Sequence, residues 1–222
     1  MPAVLFGSIG TIADTSEVQR AAFNEAFAEH GLDWTWSQEE YRELLQGSGG
    51  AKRIADYAQA RGETVNADAV HATKSQRFQD KLRAAPPTLR PGLSETVAQA
   101  RQDGYKLALV TTTSAGNIAA LTEAVRSEVD LDSFDLIVDT SRVQESKPDP
   151  EVFRYALEHL HEPAGECVAV EDNAGGVQAA VAAGLTCVAF PGENNAGHDF
   201  GGAALRVESL TFAELQNLAS AA

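Results

Sequence analysis

The sequence is short of three things, and each scarcity narrows what the chain does. Among 222 residues only two are cysteine. Cys167 and Cys187 both lie inside apolar runs, CVAV and TCVAF, which predicts small buried hydrophobes in a reducing compartment and not a disulfide framework. Positive charge is scarce as well: 17 Lys and Arg stand against 32 Asp and Glu, a formal net charge of −15. So acidic a surface repels phosphate backbones and anionic lipid, so neither nucleic acid nor a membrane surface is an expected partner. A phosphate-bearing ligand would need a locally positive pocket. Long apolar runs are missing too. Residues 173–192 form an uncharged stretch of 20 residues, but Gly175, Gly176, Gln178, Gly184 and Pro191 interrupt it. It reads as a helix followed by a strand, not as a membrane span. The first residues, MPAVLFGSIG, lack the basic segment of a secretory leader, so the expected location is cytoplasmic. No internal repeat or low-complexity segment is present.

What is there is an ordered change of period. A short apolar run, Ala3 to Phe6, ends in the small-residue turn Gly7-Ser8-Ile9-Gly10-Thr11. From Thr15 to Ala85 the spacing is helical: Val18, Ala22, Phe23, Ala26 and Phe27 recur together, then Tyr41, Leu44 and Leu45, then segments 54–60 and 67–82. Pro86-Pro87 and Pro91-Gly92 close this section with turn chemistry. Beyond Pro91 apolar strands alternate with helices, which predicts an α/β fold with a doubly wound parallel sheet. The expected division is a core of residues 1–14 and 86–222 with a helical cap, 15–85, inserted after the first strand. Trp34 and Trp36 are expected to pack this cap, and residues 192–202 to form a surface loop with at most a minor ligand contact.

Open α/β sheets bind ligands beyond the carboxyl ends of their strands. Four segments fall there: Phe6 to Thr15, Leu107 to Ser114 (LALVTTTS), Ser146 to Pro150 (SKPDP) and Val168 to Asn173 (VAVEDN). Taken singly, each has an ordinary reading. A threonine after a strand commonly caps the next helix, and Lys-Pro commonly makes a solvated turn. Glu171-Asp172 after a buried strand places two carboxylates where a hard cation would bind.

In this order and spacing the four segments resemble the haloacid dehalogenase superfamily of phosphatases and phosphomutases. The likeness extends over the whole chain and is closest to the β-phosphoglucomutase-like branch with a helical cap. Within that branch AAFNEAF, LDWTW, EEYRELL, SGG, LRPG and the strand-end segments are similar to those of the xylulose-1,5-bisphosphate phosphatases. The resemblance implies an aspartate after the first strand that attacks phosphorus, and a second aspartate two residues on that serves as acid and base. It implies that Thr111, Thr112 and Lys147 bind phosphoryl oxygens, that Glu17 and Arg53 contact substrate from the cap, and that Glu171 and Asp172 hold Mg2+.

At the decisive point the chain departs from this pattern. Where the family reads F-D-x-D-G-T, this sequence reads Phe6-Gly7-Ser8-Ile9-Gly10-Thr11. Gly7 has no side chain to attack with, and Ile9 carries no proton. Gln19 and Ala51 also replace a histidine and a lysine of the nearest relatives. Loss of nucleophile or base in a triad enzyme typically costs about 10⁶ in turnover, and loss of one carboxylate weakens a magnesium site. Ser8 is adjacent but points the other way along an extended chain, and Asp14 lies towards the hinge. The expected function is therefore a pseudo-phosphatase that binds a small phosphorylated sugar. An active hydrolase with a different nucleophile and a protein-interaction module remain open as alternatives, and no protein partner is indicated.

Overall fold

The computed structural model describes residues 2–47 and 49–220; Ser48, the first residue of the SGG segment, lies outside them. Six strands form one sheet in the order β3-β2-β1-β4-β5-β6, and every pairing is parallel. The strands are β1 (Ala3–Phe6), β2 (Lys106–Val110), β3 (Leu136–Val138), β4 (Val168–Glu171), β5 (Thr186–Ala189) and β6 (Leu205–Arg206). The period-2 alternation of strand side chains splits the core into two layers. Val4, Phe6, Leu107, Leu109, Val168 and Val170 face one way, while Ala3, Leu5, Ala108, Val110 and Ala169 face the other. Against the first layer pack α5 (Leu93–Gln102), α6 (Ala115–Val125) and α9 (Phe212–Ser220), and against the second α7 (Glu151–Leu160) and α8 (Ala174–Ala182). Helices on both faces make this the doubly wound α/β architecture expected from the alternation. Among the described residues no helix is long and apolar enough to cross a membrane. The uncharged stretch 173–192 is α8 followed by β5. Both cysteines are free and buried.

Between β1 and α5 the chain inserts α1 (Ser16–Glu29), α2 (Gln38–Leu44), α3 (Gly50–Ala60) and α4 (Ala67–Ala84). These helices close over an apolar cluster of their own, built on Phe23, Phe27, Trp34, Trp36, Tyr41 and Ile54. Trp36 is fully buried with its ring 4.6 Å from that of Phe27, as expected of packing residues and not of a stacking platform. Two crossings join insert and sheet at one place. Ala13 bridges Leu89, and buried Arg90 donates to the carbonyls of Gly10 and Pro191 at 3.2 and 2.8 Å.

Two features differ from the sequence expectations. The edge strand β6 is two residues long and carries no alternation to read. The segment 192–202 is not a plain surface loop: Asn194 and Asn195 are buried. Asn194 donates to Glu17 at 2.6 Å and to Ser16 at 3.2 Å. Its oxygen accepts from Gln38 and Arg42. A loop after a core strand thus straps α1 and α2 to the sheet, and sequence-local signals contain nothing of such a long-range contact.

Candidate active-site cavity

A cavity of about 810 Å³ lies between the insert and the carboxyl edge of the sheet. Its floor comes from strand ends and the turns after them. Ser114 and Asn173 cap α6 and α8, accepting from the Asn117 and Gly176 amides at 3.4 and 2.9 Å. Because Ser114 does the capping, Thr111 and Thr112 are left to line the cavity; the helix-cap reading of these threonines is set aside. Thr111 Oγ1 accepts from the Thr113 amide at 3.2 Å. Ser8 caps the 3₁₀ turn Ile9–Thr11, which seats its hydroxyl on the cavity wall with Oγ donating to Asp172 Oδ1 at 2.7 Å. Ser8 reaches the site despite strand alternation because the chain turns immediately after it.

The structure joins Lys147, which lines the cavity, to Glu171, which does not. Lys147 is buried, and its ammonium is spent on three acceptors: the Gly7 carbonyl, the Val110 carbonyl at 2.8 Å and Glu171 Oε1 at 2.6 Å. An ammonium has three protons, so none remains for a ligand in this arrangement. Glu171 has no exposed surface and does not line the cavity. Its side chain lies between Gly7 and Gly176: a Cβ on Gly7 would collide with the carboxylate and come 2.7 Å from Cγ, and one on Gly176 would meet the same group. Burial pushes this carboxyl up to about 7, against the opposing pull of Lys147.

Of the acidic pair only Asp172 faces the cavity, and its Oδ1 already accepts from Ser8 and, at 2.8 Å, from Asn173. Among the described residues no group of three or more His, Cys, Asp or Glu side chains converges on one point. Magnesium takes six oxygen ligands in near-octahedral geometry, one or two of them carboxylates. The donor set here, with Gly7 and Ile9 contributing no carboxylate and Glu171 turned away, does not fit the magnesium that the family resemblance implies.

The roof is different in kind. Lys74 of α4 is 3% exposed and lines the cavity. Its ammonium donates to Gln19 at 2.9 Å and lies 4.8 and 5.1 Å from the rings of Phe23 and Phe78. Among the described residues no carboxylate pairs with it. Burial, and then the Arg53 charge, lower its pKa to about 7. Arg53 also borders the cavity while donating to the carbonyls of Leu44 and Gly47, both at 2.8 Å. His71, beside them, is held neutral, its pKa lowered to about 4 by burial and then by Lys74 and Arg53. Burial pushes the Tyr41 hydroxyl up to about 12. Glu17 is not part of this wall; it pairs with Arg20 at 2.7 Å and holds Asn194. Sequence reasoning missed Lys74, although a signal was present. It falls between Val70 and Phe78 at four-residue spacing, on the buried stripe of α4, where a solvated lysine does not belong.

Residues 1–184 match the family model described as haloacid dehalogenase-like hydrolase. The protein CbbY of Cereibacter sphaeroides is 41% identical over 221 residues, 98% of this chain and 95% of that protein. The crystal structure of CbbY from Rhodobacter sphaeroides in complex with phosphate superposes with a TM-score of 0.87 at 40% identity, covering 97% of this chain and 96% of the other. A CbbY variant from the same organism, in complex with xylulose 1,5-bisphosphate, gives the same figures. The β-phosphoglucomutase of Clostridium difficile has the same fold at TM-score 0.81 and 19% identity, covering 100% and 98% of the two chains. The chain belongs to the haloacid dehalogenase-like hydrolase family, with CbbY among its near relatives.

Proposed function

We propose that this chain binds a small phosphorylated sugar in the cavity between core and cap and does not hydrolyse it by the family's mechanism. The helical insert is the cap in this reading, and the core is residues 1–14 with 86–222. The observation that carries it is Lys74: an ammonium buried without a counter-ion is held at a cost, and an anion in the cavity removes that cost. Arg53 adds a second positive charge on the same wall, and Tyr41 and Gln19 offer polar groups for sugar hydroxyls. On the floor the hydroxyls of Thr111 and Thr112 face the ligand, and Lys147 lies beneath them. The relative's complex with xylulose 1,5-bisphosphate supports a sugar bisphosphate as the first ligand to test. Hydrolysis by the family's route fails at Gly7 and Ile9, which offer neither nucleophile nor proton carrier.

The test is a calorimetric titration with sugar mono- and bisphosphates, xylulose 1,5-bisphosphate included, run beside a phosphate-release assay. Saturable binding without release above the buffer blank is the expected result. Absence of binding for the whole panel at millimolar concentration would sink the reading.

A second reading rests on the Ser8–Asp172 contact, since a hydroxyl bonded to a carboxylate is the ground state of an activated nucleophile. Ser8 Oγ would attack phosphorus as its proton passes to Asp172, and the departing sugar alkoxide would take that proton; a water, losing a proton to Asp172, would then attack the phosphoserine, and Ser8 Oγ would leave with that proton as phosphate is released. Phosphate release that disappears in Ser8→Ala would establish this chemistry in place of the first reading.

A further inference from the structure

We propose that Gly7 has removed the cation from this site: with no side chain at position 7, the Glu171 carboxylate has moved into the space, and ligand binding here is independent of divalent metal. The inference rests on the phosphosugar-binding reading for its ligand, but not for its metal.

Three observations meet at this point. The first is steric. Glu171 fits between β1 and α8 only because residues 7 and 176 are both glycine, since a Cβ at either position would overlap its side chain. Gly7 does not have the left-handed backbone that favours glycine, so turn geometry gives no reason for glycine there. The second is electrostatic. Lys147 needs a carboxylate close by, because an unpaired buried ammonium is costly; with none on residue 7 or 9, Glu171 supplies it at 2.6 Å. The third is the outcome on the cavity side. The side chain that would stand next to Asp172 is withdrawn, and Asp172 itself is bonded to Ser8 and Asn173. Asp172 is then the one strand-end carboxylate left towards a cation, the low end of the one or two that magnesium takes, and its Oδ1 is already committed.

Gly7 is therefore the determinant and Glu171 the group it repositions. A carboxylate restored at position 7 would expel Glu171 from its seat and take over Lys147. That would leave two or three carboxylates along the strand ends, a set able to hold a cation.

The experiment titrates the full chain and Gly7→Asp with Mn2+, following free Mn2+ by electron paramagnetic resonance. A calorimetric titration of the native chain with xylulose 1,5-bisphosphate follows, once in Mg2+ and once in EDTA. The native chain is expected to show no stoichiometric Mn2+ site tighter than about 1 mM, and a ligand affinity equal in both buffers. Gly7→Asp is expected to gain a stoichiometric site at least about tenfold tighter. A stoichiometric submillimolar site in the native chain overturns the proposal, and so does a ligand affinity that EDTA abolishes. A folded Gly7→Asp protein without a gained site overturns the role given to Gly7. Should that variant not fold, the native Mn2+ titration still decides. Should no sugar phosphate bind, the phosphosugar reading falls while the Mn2+ titration stands by itself.

Discussion

Two buried lysines, Lys147 in the floor and Lys74 in the roof, face the same cavity and solve the problem of a buried charge in opposite ways. Lys147 has a carboxylate and two carbonyls, and all its protons are committed. Lys74 has one amide oxygen and two aromatic faces, which do not neutralise it. A paired buried charge is part of the framework, because removing either partner strands the other. An unpaired one weakens the fold and is compensated only when an anion arrives. The floor is thus internally satisfied and the roof is not, which in the proposed reading puts the driving force for anion binding in the helical insert.

The largest effect that tests this contrast is on stability. Lys147→Met leaves Glu171 buried and alone, and should lower the unfolding free energy by about 3–5 kcal/mol in urea melts followed by circular dichroism. Adding Glu171→Leu should recover most of that loss. Lys74→Met should be neutral or stabilising in the same melts. A large loss there would mean that Lys74 is paired in solution, and the contrast between roof and floor would collapse.

Next comes ligand affinity. A buried charge-assisted hydrogen bond is worth about 1.5–3 kcal/mol, so Lys74→Met should weaken sugar-phosphate binding by about 10- to 100-fold in calorimetry.

The pH dependence sharpens the comparison further. Lys74 titrates near 7 in the folded chain against an ordinary value of 10.5, so the unfolded chain binds the extra proton between these two values. Stability from this group therefore rises with pH from about 7 to 10.5, and its penalty is fully present below 7. Anion binding runs the other way: it needs the ammonium, so affinity should fall as pH rises above 7, by up to about tenfold per unit. Lys74→Arg should flatten both profiles, measured as melting temperature and as calorimetric affinity. Glu171, raised to about 7 from 4.5, adds an opposite stability slope between those values, which Glu171→Gln should remove.

The smallest effect is at the strap. Asn194→Ala removes hydrogen bonds to Glu17, Ser16, Gln38 and Arg42. It should cost about 1–2 kcal/mol and speed limited proteolysis at the junction of cap and core, leaving the Lys147 pair untouched.

Much of the fold was legible in the sequence because its periods are clean. Strand runs such as LALV and VAVE alternate with helical segments, and that alternation implies parallel units with right-handed crossovers. The floor was legible in its composition, since Thr111 and Asp172 each follow an apolar strand and Lys147 opens the turn into α7. Its wiring was not. Which side chain occupies the space at Gly7 depends on β1, β4 and α8 meeting there, three segments spread over about 170 residues of chain. The same limit hid the Asn194 strap and left Ser8 on the wrong side.

The sequence by itself determined the α/β architecture, the order of the strand-end segments and the absence of carboxylates at positions 7 and 9, because these depend on local period and residue identity. Tertiary structure alone decided that Glu171 turns inward to Lys147, that Asp172 faces the cavity next to Ser8, and that Lys74 is buried without a counter-ion. Burial and charge pairing are properties of the neighbours a residue acquires on folding, and those neighbours come from distant parts of the chain.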